Sequence, residues 1–259
     1  MTQPVFDAHM HIVDPAFPLV ENEGYLPDPF TVADYRKRTD ELHIAGGAVV
    51  SGSFQAFDQG YLIEALKKLG PTFVGVTQIP VDTSDEEILK LHGAGVRAVR
   101  FNVFRGGSAS LDELDRLARR AYDLAGWHAE LYIDAQRIDD DLVRTITALP
   151  AVSIDHLGLT ADGLPNLLRL VERGVKVKAT GFGRIKMDPA ITIRAIMGVD
   201  PAALMAGTDL PSTRAERPFR DKDFQMIQQT LEAEGFTPEQ VAAVFWANAA
   251  DFYLNVPPH

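Results

Sequence analysis

"VFDAHMHIVD", residues 5–14, sets an acid and two imidazoles on alternate positions, Asp7, His9 and His11, beside the apolar Val5, Phe6 and Ile12. A strand turns successive side chains to opposite faces, so residues two apart share a face. Read as a first β-strand, the stretch brings all three polar groups to one small volume. Buried polar groups are costly unless they are partnered. The trio is therefore either a satisfied structural network or a reactive site.

Seven more short apolar or β-branched runs follow, at 46–53, 73–79, 96–103, 128–134, 151–157, 175–181 and 204–209. Amphipathic stretches separate them. "DQGYLIEALKKLG" (58–70) has apolar residues at helical spacing and ends on Gly70, a helix-stop residue. "SLDELDRLARRAYDLAG" (110–126) opens on a serine cap, carries acids early and arginines later, and stops at Gly126. "TPEQVAAVFWANAADFYL" (237–254) places Thr237 and Pro238 at cap and first-turn positions. Eight strands, each followed by a helix-sized segment, predict an α/β fold, a (β/α)8 TIM barrel. A doubly wound open sheet is the rival, since periodicity does not separate the two. The strand count and the 259-residue length favour the barrel. No linker or charge block divides the chain, so residues 1–259 read as one domain. Residues 12–32, with four prolines and no clear period, read as a long first loop at the barrel mouth.

The formal charge is −11. An acidic surface repels phosphate backbones and anionic lipid, so neither nucleic acid nor a membrane is an expected partner. A small anionic substrate stays open if the site itself is basic. There are no cysteines, which excludes disulfides, thiolate zinc sites and cysteine nucleophiles together. The N-terminus shows no basic region followed by an apolar run, and no apolar run approaches the ~20 residues of a membrane span. The expectation is a soluble cytoplasmic protein. A homo-oligomer is compatible with a barrel, although no interface pattern stands out.

In such a barrel, reactive groups sit at the C-terminal ends of strands. Here the strand ends deliver His9 and His11, Arg100 and Asn102, Glu130, Tyr132 and Asp134, Asp155 and His156, Lys176 and Lys178, and Asp209. Each has an ordinary reading alone: a strand-end histidine is often scaffolding, Arg100 and Lys178 suit solvated charges, and Asp209 suits a turn. Together they crowd one rim. His43, His92 and His259 read as surface groups, and His128 opens its strand at the opposite end.

The ordered motifs "FDAHMHIVDP", "GVRAVRFNV", "GWHAELYID", "VSIDHLGL", "VKVKATG", "LMAGTDLP" and "WANAADFY" resemble those of the amidohydrolase superfamily. The nearest branch is that of 2-pyrone-4,6-dicarboxylate lactonase and the sugar-lactone hydrolases. The resemblance implies a barrel hydrolase in which His9 and His11 match the strand-1 pair, His156 the strand-6 histidine and Asp209 the strand-8 aspartate. Full metal centres in the family add a strand-4 Lys or Glu and a strand-5 His. Here those places hold Arg100 with Asn102, and Tyr132, which do not suit a two-metal site. The lactonase branch includes members that work without metal. No cofactor is therefore expected, with one divalent ion (Zn2+) on His9, His11 and Asp209 as the alternative.

The implied reaction is opening of a small anionic or polyhydroxylated lactone. Asp209 would act as general base, His9 and His11 would orient water, and His156 would polarise the carbonyl. Arg100, Lys178 and the loop arginines Arg214, Arg217 and Arg220, with Arg217 foremost, would receive a substrate carboxylate. Asn102, Tyr132 and Ser53 complete the expected substrate contacts. Three alternatives remain open. One is a lactone isomerase in the same fold. Another is a metal-dependent nonoxidative decarboxylase of an aromatic acid, which the missing strand-5 histidine disfavours. The last is a barrel that only binds, which has no need of a base beside three imidazoles.

Overall fold

The structure is a computed structural model and describes residues 3–255. Eight strands run in chain order: β1 (Val5–Met10), β2 (Ile44–Val50), β3 (Phe73–Thr77), β4 (Val96–Phe101), β5 (His128–Leu131), β6 (Val152–Ile154), β7 (Lys176–Ala179) and β8 (Leu204–Ala206). Each pairs in parallel with the next. Between them lie α1 (Val32–Thr39), α2 (Gly60–Leu69), α3 (Asp85–Gly93), α4 (Leu114–Ala125), α5 (Asp140–Ala148), α6 (Leu164–Val171) and α7 (Pro189–Val199). After β8 come α8 (Asp221–Ala233), α9 (Pro238–Phe245) and α10 (Ala247–Leu254). This is a (β/α)8 barrel.

The helix ends follow the sequence signals. Gly70 closes α2, and Gly126 closes α4 in the left-handed region at φ 66°. Thr237 caps α9 with Gln240 in a reciprocal box. The last helical stretch is broken, however: Trp246 leaves helical geometry and divides α9 from α10.

Two apolar layers form the core. The larger lies between strands and helices. The smaller fills the barrel interior with Phe6, Ala8, Val50, Val74 and Met205, and Tyr253 of α10 enters it from below. Phe6 and Tyr253 stack with ring centroids 5.4 Å apart.

The seam between β8 and β1 corrects the opening expectation. Phe6 and Ala8 face the barrel interior, and Asp7 faces away from it. The β1–β2 register then shifts between Asp7 and Met10. A bulge of this kind reverses the side-chain alternation beyond it. His9 and His11 thereby face the mouth of the barrel, and Asp7 is not with them. Its carboxylate instead accepts from the Thr208 amide (2.7 Å), the Thr208 hydroxyl (2.7 Å) and the Tyr35 hydroxyl of α1 (2.9 Å). Asp209 N donates to His9 O, and His11 N donates to Leu210 O, each at 2.7 Å. These bonds close the barrel. Glycine is required at 207, since a Cβ there would lie 2.8 Å from the His9 nitrogen.

Burial pushes the Asp7 carboxyl up to about 6, although the Thr208 and Tyr35 hydrogen bonds pull the other way. Replacing Asp7 by Ala strands four buried donors, the His9 amide at 3.3 Å included. We expect a loss of about 3 kcal/mol in unfolding free energy, read by urea denaturation at neutral pH. A variant as stable as wild type would remove the seam from this role.

Candidate active site

Four side chains meet at the C-terminal end of the barrel. Asp209 Oδ1 lies 3.8 Å from His9 Nε2, 3.5 Å from His11 Nε2 and 3.9 Å from His156 Nε2. All four are buried. His156 and Asp209 both follow strand ends and hold positive φ, 51° and 61°. Such backbone is uncommon outside glycine and concentrates at functional sites.

The far side of each imidazole is anchored. His11 Nδ1 donates to the Val50 carbonyl oxygen at 2.7 Å, which leaves Nε2 facing Asp209. His9 Nδ1 lies 3.3 Å from Asp155 Oδ1 and 3.4 Å from Lys178 Nζ, and its buried Nε2 has no hydrogen-bond partner among the described residues. His156 Nδ1 sits 2.8 Å from the Thr180 hydroxyl. Glycine at 181 leaves room for that ring, since a Cβ there would meet His156 Nδ1 at 2.6 Å. Burial holds His9 well below the usual imidazole range and takes His156 down to about 3, so both are neutral at pH 7.

Arg184, in the loop after β7, grips Asp209 with two bonds of 2.6 and 2.9 Å. Burial alone would raise the Asp209 carboxyl. Arg184, and then His156, more than offset this and hold it well below the carboxylate range. The residue was not anticipated from the sequence, although "GFGR" (181–184) directly after a strand places an arginine on a glycine-framed turn.

Above these groups opens a narrow cleft. Its lining includes Ser53, Arg100, Asn102, Tyr132, His11, His156 and Arg214, all anticipated, together with Arg105, Arg184 and Thr213. Four arginines and no carboxylate line it among the described residues. Arg100 is fixed by Asp155 Oδ2 at 2.8 Å and lies 5.2 Å over the Tyr132 ring.

Three expected binders lie elsewhere. Lys178 is fully buried beneath His9, paired with Glu130 and 3.3 Å from Asp155. It projects from β7 below the rim, where it neutralises acids that the barrel interior would otherwise leave uncompensated. Arg217 makes a two-pronged pair with Asp223 of α8 at 2.8 and 2.9 Å and does not line the cleft. Arg220 serves as the N-cap residue of α8. His128 sits at the opposite end, as expected, bonded to Glu130 at 3.0 Å. His43 is exposed and His92 is half-buried, its Nδ1 3.3 Å from the Trp127 indole nitrogen; His259 lies outside the described residues.

His9, His11 and Asp209 present ligand atoms within 4.8 Å of one another. Two imidazoles and a carboxylate suit a divalent ion, and the orphaned His9 Nε2 fits that use. Arg184 competes for the same carboxylate. A second grouping of His9, Asp155 and His156 meets the same distance. There Asp155 is already committed to Arg100 and Lys178.

The family profile described as Amidohydrolase matches residues 6–254, and the chain belongs to that family. A 2-pyrone-4,6-dicarboxylate hydrolase of Comamonas testosteroni is 34% identical over 157 residues, 59% of this chain and 51% of that protein. The match thus spans about half the length of that relative. A D-galactarolactone isomerase of Agrobacterium fabrum is 27% identical over 257 residues, covering 91% of this chain and 85% of that one. A crystal structure of an Agrobacterium tumefaciens protein, solved without ligand, superposes with a TM-score of 0.86 at 21% identity, over 100% of this chain and 98% of that one. It shows the same fold.

Two outcomes test the electrostatics. Lys178→Met leaves Glu130 and Asp155 without their shared cation; we expect about 3–5 kcal/mol of destabilisation, measured by chemical denaturation. Arg184→Met should destabilise by roughly 3 kcal/mol at pH 7. Because the Asp209 carboxyl is depressed in the folded state, the pair stabilises above the ordinary carboxylate pKa of 3.8 and progressively less below it. Burial without Arg184 raises the Asp209 carboxyl in the variant, so the stability gap between wild type and variant should be largest near pH 8 and shrink as pH falls toward about 3.5. A pH-independent gap would exclude the ion pair as its source.

Proposed function

We propose that this chain hydrolyses a small lactone bearing at least one carboxylate, with Asp209 as general base. The charge of the cleft carries the reading. A chain of formal charge −11 aims four arginines into one pocket, over a carboxylate and three imidazoles. Guanidinium groups pair with carboxylates through two parallel bonds. The lactone-acting names of the two curated relatives support the substrate class.

Ester opening needs a water, a base and donors where the carbonyl oxygen becomes negative. His11 Nε2, or His9 Nε2, would accept one hydrogen of a water beside Asp209, leaving its other hydrogen for the carboxylate. In the free protein Arg184 keeps Asp209 a weak base. A substrate carboxylate that draws Arg184 to itself loosens that hold, so Asp209 gains basicity when substrate arrives. His156, with Nδ1 accepting from Thr180, would donate its Nε2 hydrogen to the carbonyl oxygen. Asp209 takes the proton of the attacking water and returns it to the departing alkoxide. The same pocket needs no cofactor for these steps. A divalent ion, when bound, would be held by His9, His11 and Asp209 and would supply Lewis-acid polarisation.

The Agrobacterium fabrum relative, matched along 91% of this chain, is named an isomerase, which favours isomerisation as the second reading. There a hydroxyl of the substrate takes the place of water. A panel of sugar-acid lactones and pyrone dicarboxylate, followed with a pH indicator and by NMR, separates the two. Hydrolysis releases acid; isomerisation converts one lactone to another without it. We expect acid release from a carboxylated lactone, undiminished by chelator. Asp209→Asn should lower kcat by about 10³-fold with circular dichroism unchanged. Activity retained in that variant would remove Asp209 as the base, and activity lost to chelator and restored by zinc would assign an ion to the histidine pair.

A further inference from the structure

The long first loop ends in a tight hairpin at the barrel mouth. Asn22 and Tyr25 exchange backbone hydrogen bonds of 3.1 Å in each direction, with Glu23 and Gly24 as the two central residues. Both central residues have positive φ, 51° and 71°. That turn type favours Asn-Gly, and a glutamate at its first position is strained. The strain has a visible counterpart. The Glu23 carboxylate is 2.8 Å from Arg214 and 3.3 Å from Arg105. Asn22 adds a bond from its side-chain nitrogen to the Arg105 carbonyl at 3.3 Å, and Arg214 also donates to the Asn22 side-chain oxygen at 3.0 Å. Arg214 stacks 4.7 Å over Tyr25.

Arg105 and Arg214 both line the cleft, and they come from the loops after β4 and β8. The Nε atom of each is buried and has no partner among the described residues. Arg214 gives both outer nitrogens to Glu23 and Asn22, Arg105 gives one to Glu23, and each keeps an unused donor. An unpaired buried donor is costly unless something accepts from it. Glu23 itself is 58% exposed, so its carboxylate leaves for water at little cost.

We propose that Glu23 is a built-in competitor for a second substrate carboxylate. It latches the first loop across the mouth by holding Arg105 and Arg214. A ligand with two carboxylates displaces it, one group going deep toward Arg184 and the other taking the Arg105–Arg214 pair. A ligand with one carboxylate leaves the latch shut. Glu23 is then a specificity residue that sets the threshold for dicarboxylates. The idea rests on the reading of the cleft as a carboxylate-lactone site, and it deepens that reading from one carboxylate to two.

The test uses binding, not turnover. Isophthalate, a planar ring with two carboxylates and no ester, and benzoate, with one, are titrated calorimetrically into wild type, Glu23→Gln and Glu23→Asn. Asparagine suits the turn, so the second variant removes the charge while easing the backbone. Loosening two partly exposed pairs predicts about fivefold tighter isophthalate binding in both variants, with benzoate unchanged. Any other pattern overturns the proposal: no binding of isophthalate, no gain, a gain in only one variant, or an equal gain for benzoate, which would report the change in net charge alone. Lactone turnover by wild type is scored separately. The latch can fail while hydrolysis stands, and a dicarboxylate-selective gain without turnover of any lactone would keep the latch and reject the hydrolase.

Discussion

The Asp7 carboxylate holds the seam on which the site depends. It takes three hydrogen bonds from β8 and α1 in a place where backbone pairing between the first and last strands is incomplete. Because the chain bulges just beyond it, the next two polar side chains turn toward the mouth, and Asp209 arrives on the other side of the same seam. The two strand-1 imidazoles and the strand-8 carboxylate therefore meet across a joint that one buried acid fastens. That acid is costly to bury, as its raised pKa reflects. The fold tolerates it because a neutral residue could not accept from so many donors at once.

Charge is arranged in two tiers. Below the histidines, Lys178 and Arg100 face Glu130 and Asp155, and the set is balanced. Above them, Arg184 meets Asp209, and Arg105 and Arg214 meet Glu23, all three arginines lining the cleft. The lower tier is rigid because removing any member exposes an unpaired charge in a low-dielectric interior. The partners of the upper tier lie instead at the floor and the rim of the cleft, and Glu23 is largely exposed.

The barrel was legible because strands covered on both faces leave near-continuous apolar runs, and eight such runs alternate with amphipathic ones. Their ends were drawn too long where polar residues leave the ladder, as at Asn102, Tyr132 and His156. Strand-end placement sufficed for His9, His11, His156 and Asp209. It failed for Asp7, since a register shift inverts parity and leaves no mark in the spacing. Depth was also hidden: Arg100 reaches the cleft and Lys178 stays beneath it, although both are cations on inward faces. Loop arginines depend on tertiary partners that spacing does not encode. Arg217 is drawn to Asp223, whereas Arg184 turns inward to Asp209.

The last helix reaches back to the first strand. The Tyr253 hydroxyl donates to Glu130 inside the barrel and approaches the Ala8 carbonyl at 3.4 Å, a separation of 245 residues along the chain. Glu130, one of the buried acids under His9, thus lacks one of its donors until residue 253 has packed into the barrel. During synthesis the first strand emerges with its histidines long before their support exists. The polar floor beneath the histidines is therefore complete only when the last helix has docked on the first strand.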